Sequence, residues 1–319
     1  MQPARKTNPV TPPRPALSIV PRTQRAPRSP LALWHLLSLD APSVASVWTV
    51  AIASAVGLHL PWTSPAAMFL AVWILYVADR LLDARSLDSQ QPAPDLEARH
   101  VFHHRHRRAF LIGIILSACA LTALLRTLDM HALRIYVLLA TLLAGYFLVI
   151  HARADSAHRL PKELAVGIFF AAAVFIPTVA RLPLPGSPAS LLAGVELRLD
   201  LLPIALLLAA TCSLNCLFLY AWEHPGPPTH AHWSTRWATR HLVALTWTVA
   251  ALSLLALFCL LSTRLSGTYA LTACILTSSL LLLTLHHLRR RLQPIHLRAL
   301  ADLVLLTPLI PLALSLIPR

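Results

Sequence analysis

The chain has 319 residues, of which 56% are hydrophobic and only 13% charged, with a mean hydropathy of +0.64 and a formal net charge of +14. So few charges, against roughly 25% in soluble domains, exclude a large soluble globule and predict an all-α polytopic membrane bundle. The Lys and Arg excess lies between apolar runs, so it is read as a topology signal and no nucleic-acid partner is expected.

Residues 1–33 carry eight prolines and six Lys/Arg without an apolar run. That composition predicts a disordered basic tail lying against anionic membrane lipids, uncleaved for want of a signal-peptide layout. The membrane domain is expected over 34–319. Ser38 to Ser43 reads SLDAPS, a helix start with Asp40 as cap and Pro42 in the first turn.

Apolar segments of spanning length follow at about 43–61, 65–83, 109–126, 132–151, 163–180, 200–222, 241–262, 268–287 and 299–317. With the N-terminus inside, the alternate loops divide the 27 Lys/Arg into 21 cytoplasmic and 6 outer residues, the bias the positive-inside rule requires. About nine transmembrane helices are therefore expected, in a bacterial inner membrane, with the ends of the second, fourth, sixth and eighth facing the cytoplasm. All five cysteines lie in apolar segments without CxxC spacing and read as buried thiols.

The second segment closes in YVADRLLDARSLD, Tyr76 to Asp88. Asp79 and Asp83 stand at i and i+4, so a helix stacks the carboxylates on one face, about 6 Å apart at Cβ. Such a pair suits a hard divalent cation, and acids at a membrane edge carry a functional hypothesis by default. The structural alternative is a helix-end pair neutralised by Arg80 and Arg85. RHVFHHRHRR, Arg99 to Arg108, reads as a basic juxtamembrane helix for lipid phosphates or an anionic substrate rather than a metal site, because its arginines repel cations. HHLRRR, His286 to Arg291, reads as a topology determinant.

Lys162 and Glu163 follow Pro161, the chemistry of a helix start, and place an ammonium at the same cytoplasmic mouth. The sixth segment ends LNCLFLYAWEHPG, where Asn215 and Glu223 fall within roughly 80° of each other on a helix. An interhelical amide bond and a helix-end charge are the alternative. In the last segment Asp302 follows Arg298 at i+4, a spacing for a local salt bridge or for support of the site.

Together these stretches resemble the UbiA family of intramembrane prenyltransferases: nine helices, a carboxylate motif closing the second, a polar motif closing the sixth, and a basic residue after the fourth. The resemblance covers about residues 34–319 in architecture and only short stretches in sequence. It implies a helical bundle in which NDxxDxxxD and DxxxD motifs hold Mg²⁺ against a prenyl diphosphate while the prenyl group passes to a lipophilic or aromatic acceptor. On the first motif Asp79 falls at the Asn, Arg80 at the first Asp, Asp83 at the second and Leu87 at the third, with Asp88 one place late. On the second, Asn215 matches the first Asp, Leu219 the next, and Glu223 stands one turn further. The site so implied has Asp79, Asp83, Asn215 and Glu223 around the metal, with Lys162 and Arg80 on the diphosphate. Alternatives are a degenerate relative that binds isoprenoid or lipid, or anchors a partner, without turnover, and a transporter, for which matching pairs of broken helices are missing.

Overall fold

A computed structural model describes residues 29–85, 98–152, 161–182, 188–224, 232–261 and 266–315. Most of the expected tail, together with Leu87, Asp88, Arg153 and Arg159, lies outside the described residues; Asp83 is in a described helix, but its side chain is not described. Among the described residues there is no strand. The helices are α1 (Pro30–Leu36), α2 (Asp40–Ala55), α3 (Thr63–Arg85), α4 (Ala98–Arg105), α5 (Arg107–Leu125), α6 (Met130–Ala152), α7 (Lys162–Arg181), α8 (Pro188–Glu223), α9 (Trp233–Arg240), α10 (Leu242–Leu261), α11 (Ser266–Leu288), α12 (Pro294–Leu303) and α13 (Leu309–Ser315).

Each expected apolar segment falls on a helix, but not all are uninterrupted spans. Among the described residues, six helices are long and apolar enough to cross a membrane, or up to eight if each of two bent pairs, α1 with α2 and α12 with α13, is one span. Over Met130–Tyr146, the part of α6 whose side chains are described, the expected fourth segment counts only as a shorter apolar helix.

The first segment departs most from expectation. Instead of running to about residue 61, α2 stops at Ala55, because Gly57 takes φ +73°. Leu58 N then donates to Ala53 O at 2.9 Å and Gly57 N to Ser54 O at 3.1 Å, the paired bonds of a Schellman turn. The remaining 16 residues reach about 24 Å at 1.5 Å each, short of a bilayer core of about 30 Å. At the other end α1 and α2 meet at 90°, and Ser38 makes the corner with φ +59°.

Proline interrupts the bundle where neighbours can meet the carbonyl it frees. Pro177, inside α7, leaves Ala173 O without its helical donor, and Tyr136 Oη of α6 donates to it at 3.3 Å. Pro308, at the break before α13, frees Val304 O, which accepts from Ser278 Oγ of α11 at 2.8 Å. Trp48 of α2, fully buried, donates its Nε1 to Leu305 O beside it at 2.9 Å.

The core gathers Trp48, Ile52, Val174, Leu208, Phe218, Ile275 and Leu282, so α2, α7, α8 and α11 form the centre of the bundle. Helices α7 and α8 pack along each other and cross closely at Gly167, where a Cβ would collide with Ser213 and with the Ala209 carbonyl. Large apolar side chains of α5 and α10, Ile115, Leu116, Leu255 and Phe258 among them, stay exposed, as a lipid-facing surface requires.

Candidate functional site

The corner between α1 and α2 carries an unusual load of polarity for a membrane bundle. Asp40 is the first residue of α2 rather than its cap: the cap position is Leu39, which makes no side-chain bond. The Asp40 carboxylate, fully buried, accepts from Ala41 N at 3.1 Å but turns mainly to two other partners. His35 Nδ1 lies 2.5 Å from its Oδ2, and Arg80 Nη2 of α3 lies 3.4 Å from the same oxygen.

Arg80 is only 4% exposed. Its Nη1 donates to His35 O at 2.8 Å and to Ser38 Oγ at 2.7 Å, and its guanidinium stands 5.5 Å from the centre of the Tyr76 ring. The left-handed backbone at Ser38 costs about 1–2 kcal/mol for a residue with a Cβ. At this corner the His35 carbonyl and the Ser38 hydroxyl meet one guanidinium.

On the far side of this cluster stands α12. Asp302 accepts from Asn215 Nδ2 of α8 at 2.9 Å, and both residues are buried. Arg298, which the sequence sets at i+4 from Asp302, pairs across helices with Glu223 at the end of α8. A helix-end carboxylate and a buried guanidinium thus neutralise each other across helices. His103, read as part of a lipid-facing basic stretch, is fully buried, with Nε2 3.2 Å from Ser38 Oγ and its ring stacked on Phe110 at 4.2 Å.

Asp79 points elsewhere. One step before Arg80 on α3, it is half exposed, and its Oδ1 lies 3.6 Å from Lys162 Nζ, itself 56% exposed. Lys162 opens α7 directly after Pro161, the start its sequence predicts, and Glu163 beside it accepts from Thr235 Oγ1 of α9 at 2.9 Å. The ends of α3, α7 and α9 therefore meet at an exposed charged mouth, and Arg80, Asp40, Asp302 and Asn215 form a buried polar chain from α3 through α2 and α12 to α8.

The residues implied by the resemblance thus have separate surroundings. Asp79 pairs with Lys162, Glu223 with Arg298, Asn215 with Asp302 and Arg80 with Asp40. Among the described residues, the group with ligand atoms in metal-binding proximity is His35, Asp40 and Asp302, within 4.8 Å of one another.

Sequence reasoning missed His35, read Ser38 only as the first residue of a helix-start stretch, and read Asp40 as a cap and Asp302 mainly as an ion-pair partner. The available signal was that Asp40, Arg80 and Asp302 are ionisable residues within or beside apolar segments, each in need of a buried partner. The chain matches no family model, no curated protein and no solved structure.

Proposed function

We propose that this protein is a membrane-embedded transferase of the UbiA kind. It takes an isoprenoid diphosphate at the mouth between α3 and α7 and moves the prenyl group to a lipophilic or aromatic acceptor, with help from a divalent ion, at the cytoplasmic face. The observation that carries this reading is the meeting of Lys162 with the end of α3 beside a buried polar chain. A half-exposed ammonium at a membrane boundary, held by a single carboxylate, is free to exchange that partner for phosphate oxygens. Apolar helix surface below it suits a prenyl tail.

In the transfer, the allylic C–O bond breaks with its electron pair staying on the diphosphate, whose growing charge Lys162 stabilises. The allylic carbon then bonds to an electron-rich atom of the acceptor, which loses a proton. The test is pyrophosphate release from a panel of allylic diphosphates and aromatic acceptors by the purified protein, with Mg²⁺ or Mn²⁺ present. Release by the wild type and its loss in Lys162→Ala support the reading; no release across the panel defeats it.

A second reading, an isoprenoid-binding relative without turnover, is favoured by Arg80. It stands where the resemblance puts an Asp, and its guanidinium is engaged inside the bundle. That reading predicts an isoprenoid lipid that copurifies and stays bound in EDTA with no pyrophosphate formed.

A further inference from the structure

Helix α9 is fixed to the bundle by one face. Thr235 is buried there and donates its Oγ1 to Glu163 at the start of α7, at 2.9 Å. Trp233, Arg236, Trp237 and Arg240, at i, i+3, i+4 and i+7, share the opposite face. All four are exposed, the two tryptophans by 64% and 51%, although tryptophan is ordinarily a well-buried residue. Among the described residues no carboxylate pairs with either arginine. Because α9 ends at Arg240 and the spanning stretch of α10 starts at Leu242, this face lies where lipid head groups meet hydrocarbon. Tryptophan beside arginine is the composition that suits that level.

A cavity beside this face is the second observation. It has a volume of about 580 Å³, within the range of small-ligand pockets, and its lining includes Ala221, Thr239, Arg240, His241, Trp247 and His286. No acid lines it. The Trp237 ring stands 5.1 Å from that of His241. Trp222 Nε1 donates to His286 Nδ1 at 3.2 Å, so the His286 proton sits on Nε2 and makes that nitrogen a donor. Arg289 donates to the His286 carbonyl, which brings another guanidinium to the same wall. The rest of the lining is apolar, and Val243 and Trp247, one turn apart on α10 and both exposed, carry it into the spanning stretch.

The cavity thus offers positive charge and N–H donors at the boundary and an apolar strip below them. A phosphate with hydrocarbon chains attached matches both parts. A soluble anion leaves the apolar strip bare, and a zwitterionic head group sets its ammonium against Arg240, with no carboxylate in the lining to receive it. We propose that the cavity between α9, α10 and α11 binds one anionic phospholipid, its phosphate on Arg240 and His241 and an acyl chain along Val243 and Trp247. Neither Asp79 nor Lys162 lines this cavity, so lipid binding and diphosphate binding are separable.

The test uses the full chain, purified in detergent, stripped of lipid and titrated with phosphatidylglycerol or phosphatidylcholine, with bound lipid counted by native mass spectrometry. The wild type is expected to bind one phosphatidylglycerol at least about tenfold more tightly than phosphatidylcholine. Arg240→Gln/His241→Gln, at exposed positions and checked for unchanged helicity and elution volume, is expected to remove that preference. Lys162→Ala, and Arg107→Gln/Arg108→Gln in the basic stretch that opens α5, are expected to keep it. In phosphatidylcholine vesicles, a small fraction of brominated phosphatidylglycerol should quench more tryptophan emission than the same fraction of brominated phosphatidylcholine, and Trp247→Phe should lose the excess. The proposal is overturned by equal affinity for the two lipids, by a preference that survives Arg240→Gln/His241→Gln, or by the absence of excess quenching. It is also overturned if the preference is lost in Lys162→Ala, which puts the lipid at the mouth, or in Arg107→Gln/Arg108→Gln, which puts it at α5. Displacement of the lipid by millimolar inorganic phosphate overturns it too, since the site is then one for a free anion. The lipid preference and the excess quenching are read on the wild type and do not depend on any variant folding. Because no diphosphate is present, failure here leaves the transferase reading untouched, and failure of prenyl transfer leaves this one untouched.

Discussion

Replacing Arg80 with methionine keeps most of the side chain's volume and removes its charge. The structure gives that guanidinium three acceptors, His35 O at 2.8 Å, Ser38 Oγ at 2.7 Å and Asp40 Oδ2 at 3.4 Å, at 4% exposure. Removing one member of a buried ion pair strands the other, a loss of about 3–5 kcal/mol. Asp40 is the group stranded here, and it lies beside a second carboxylate, Asp302, so the upper part of that range is expected. Neutralising both partners in Arg80→Met/Asp40→Asn should recover part of the loss, with a coupling energy of about 1–3 kcal/mol. Unfolding of each variant in mixed micelles, titrated with SDS and followed by the circular dichroism of the helices, gives the four free energies of the cycle. If Arg80→Met falls within about 0.5 kcal/mol of wild type, as an ordinary surface substitution does, the buried network is not what organises this end of the bundle.

Other substitutions separate the elements. Ser38→Ala keeps the left-handed strain at φ +59° and loses the hydroxyl that Arg80 binds, whereas Ser38→Gly loses the hydroxyl and relieves the strain. In the same SDS titration Ser38→Gly should therefore be the more stable of the two by about 1–2 kcal/mol. Gly167→Ala places a methyl against Ser213 and the Ala209 carbonyl where α7 crosses α8, and should cost about 1–3 kcal/mol through forced separation of the helices. Trp48→Phe removes the donor to Leu305 O and leaves that carbonyl unmet at the break in the last helix pair, for a loss of about 1–3 kcal/mol. Lys162→Ala breaks only a half-exposed pair and should change stability by no more than about 1 kcal/mol.

Which of these features the sequence announces depends on how local their causes are. Apolar segments announce themselves by length, so helices appear in all nine expected places, and Pro161 fixes the start of α7 because a proline at a helix entrance acts within one turn. The end of the first span was missed although its cause, Gly57, is also local: an apolar window of spanning length outweighed a single left-handed glycine. The polar cluster is another matter. Arg80 and Asp40 are 40 residues apart and Asn215 and Asp302 are 87 apart, and no periodicity links positions that meet only through helix packing. Local spacing did not reveal every partner either, since Arg298 stands at i+4 from Asp302 yet also reaches across to Glu223. A buried charge takes the partners that tertiary packing desolvates along with it, and helical spacing alone does not name them.

The central claim is that the mouth between α3 and α7 receives an isoprenoid diphosphate through Lys162. Its most direct measurement is equilibrium binding of a radiolabelled allylic diphosphate to the protein in nanodiscs, for the wild type and Lys162→Ala. The account predicts saturable binding that excess inorganic pyrophosphate competes away, weakened at least about tenfold in Lys162→Ala, the equivalent of losing about 1.4 kcal/mol of charge-assisted contact. Binding of equal strength in both proteins, or none in the wild type, contradicts it.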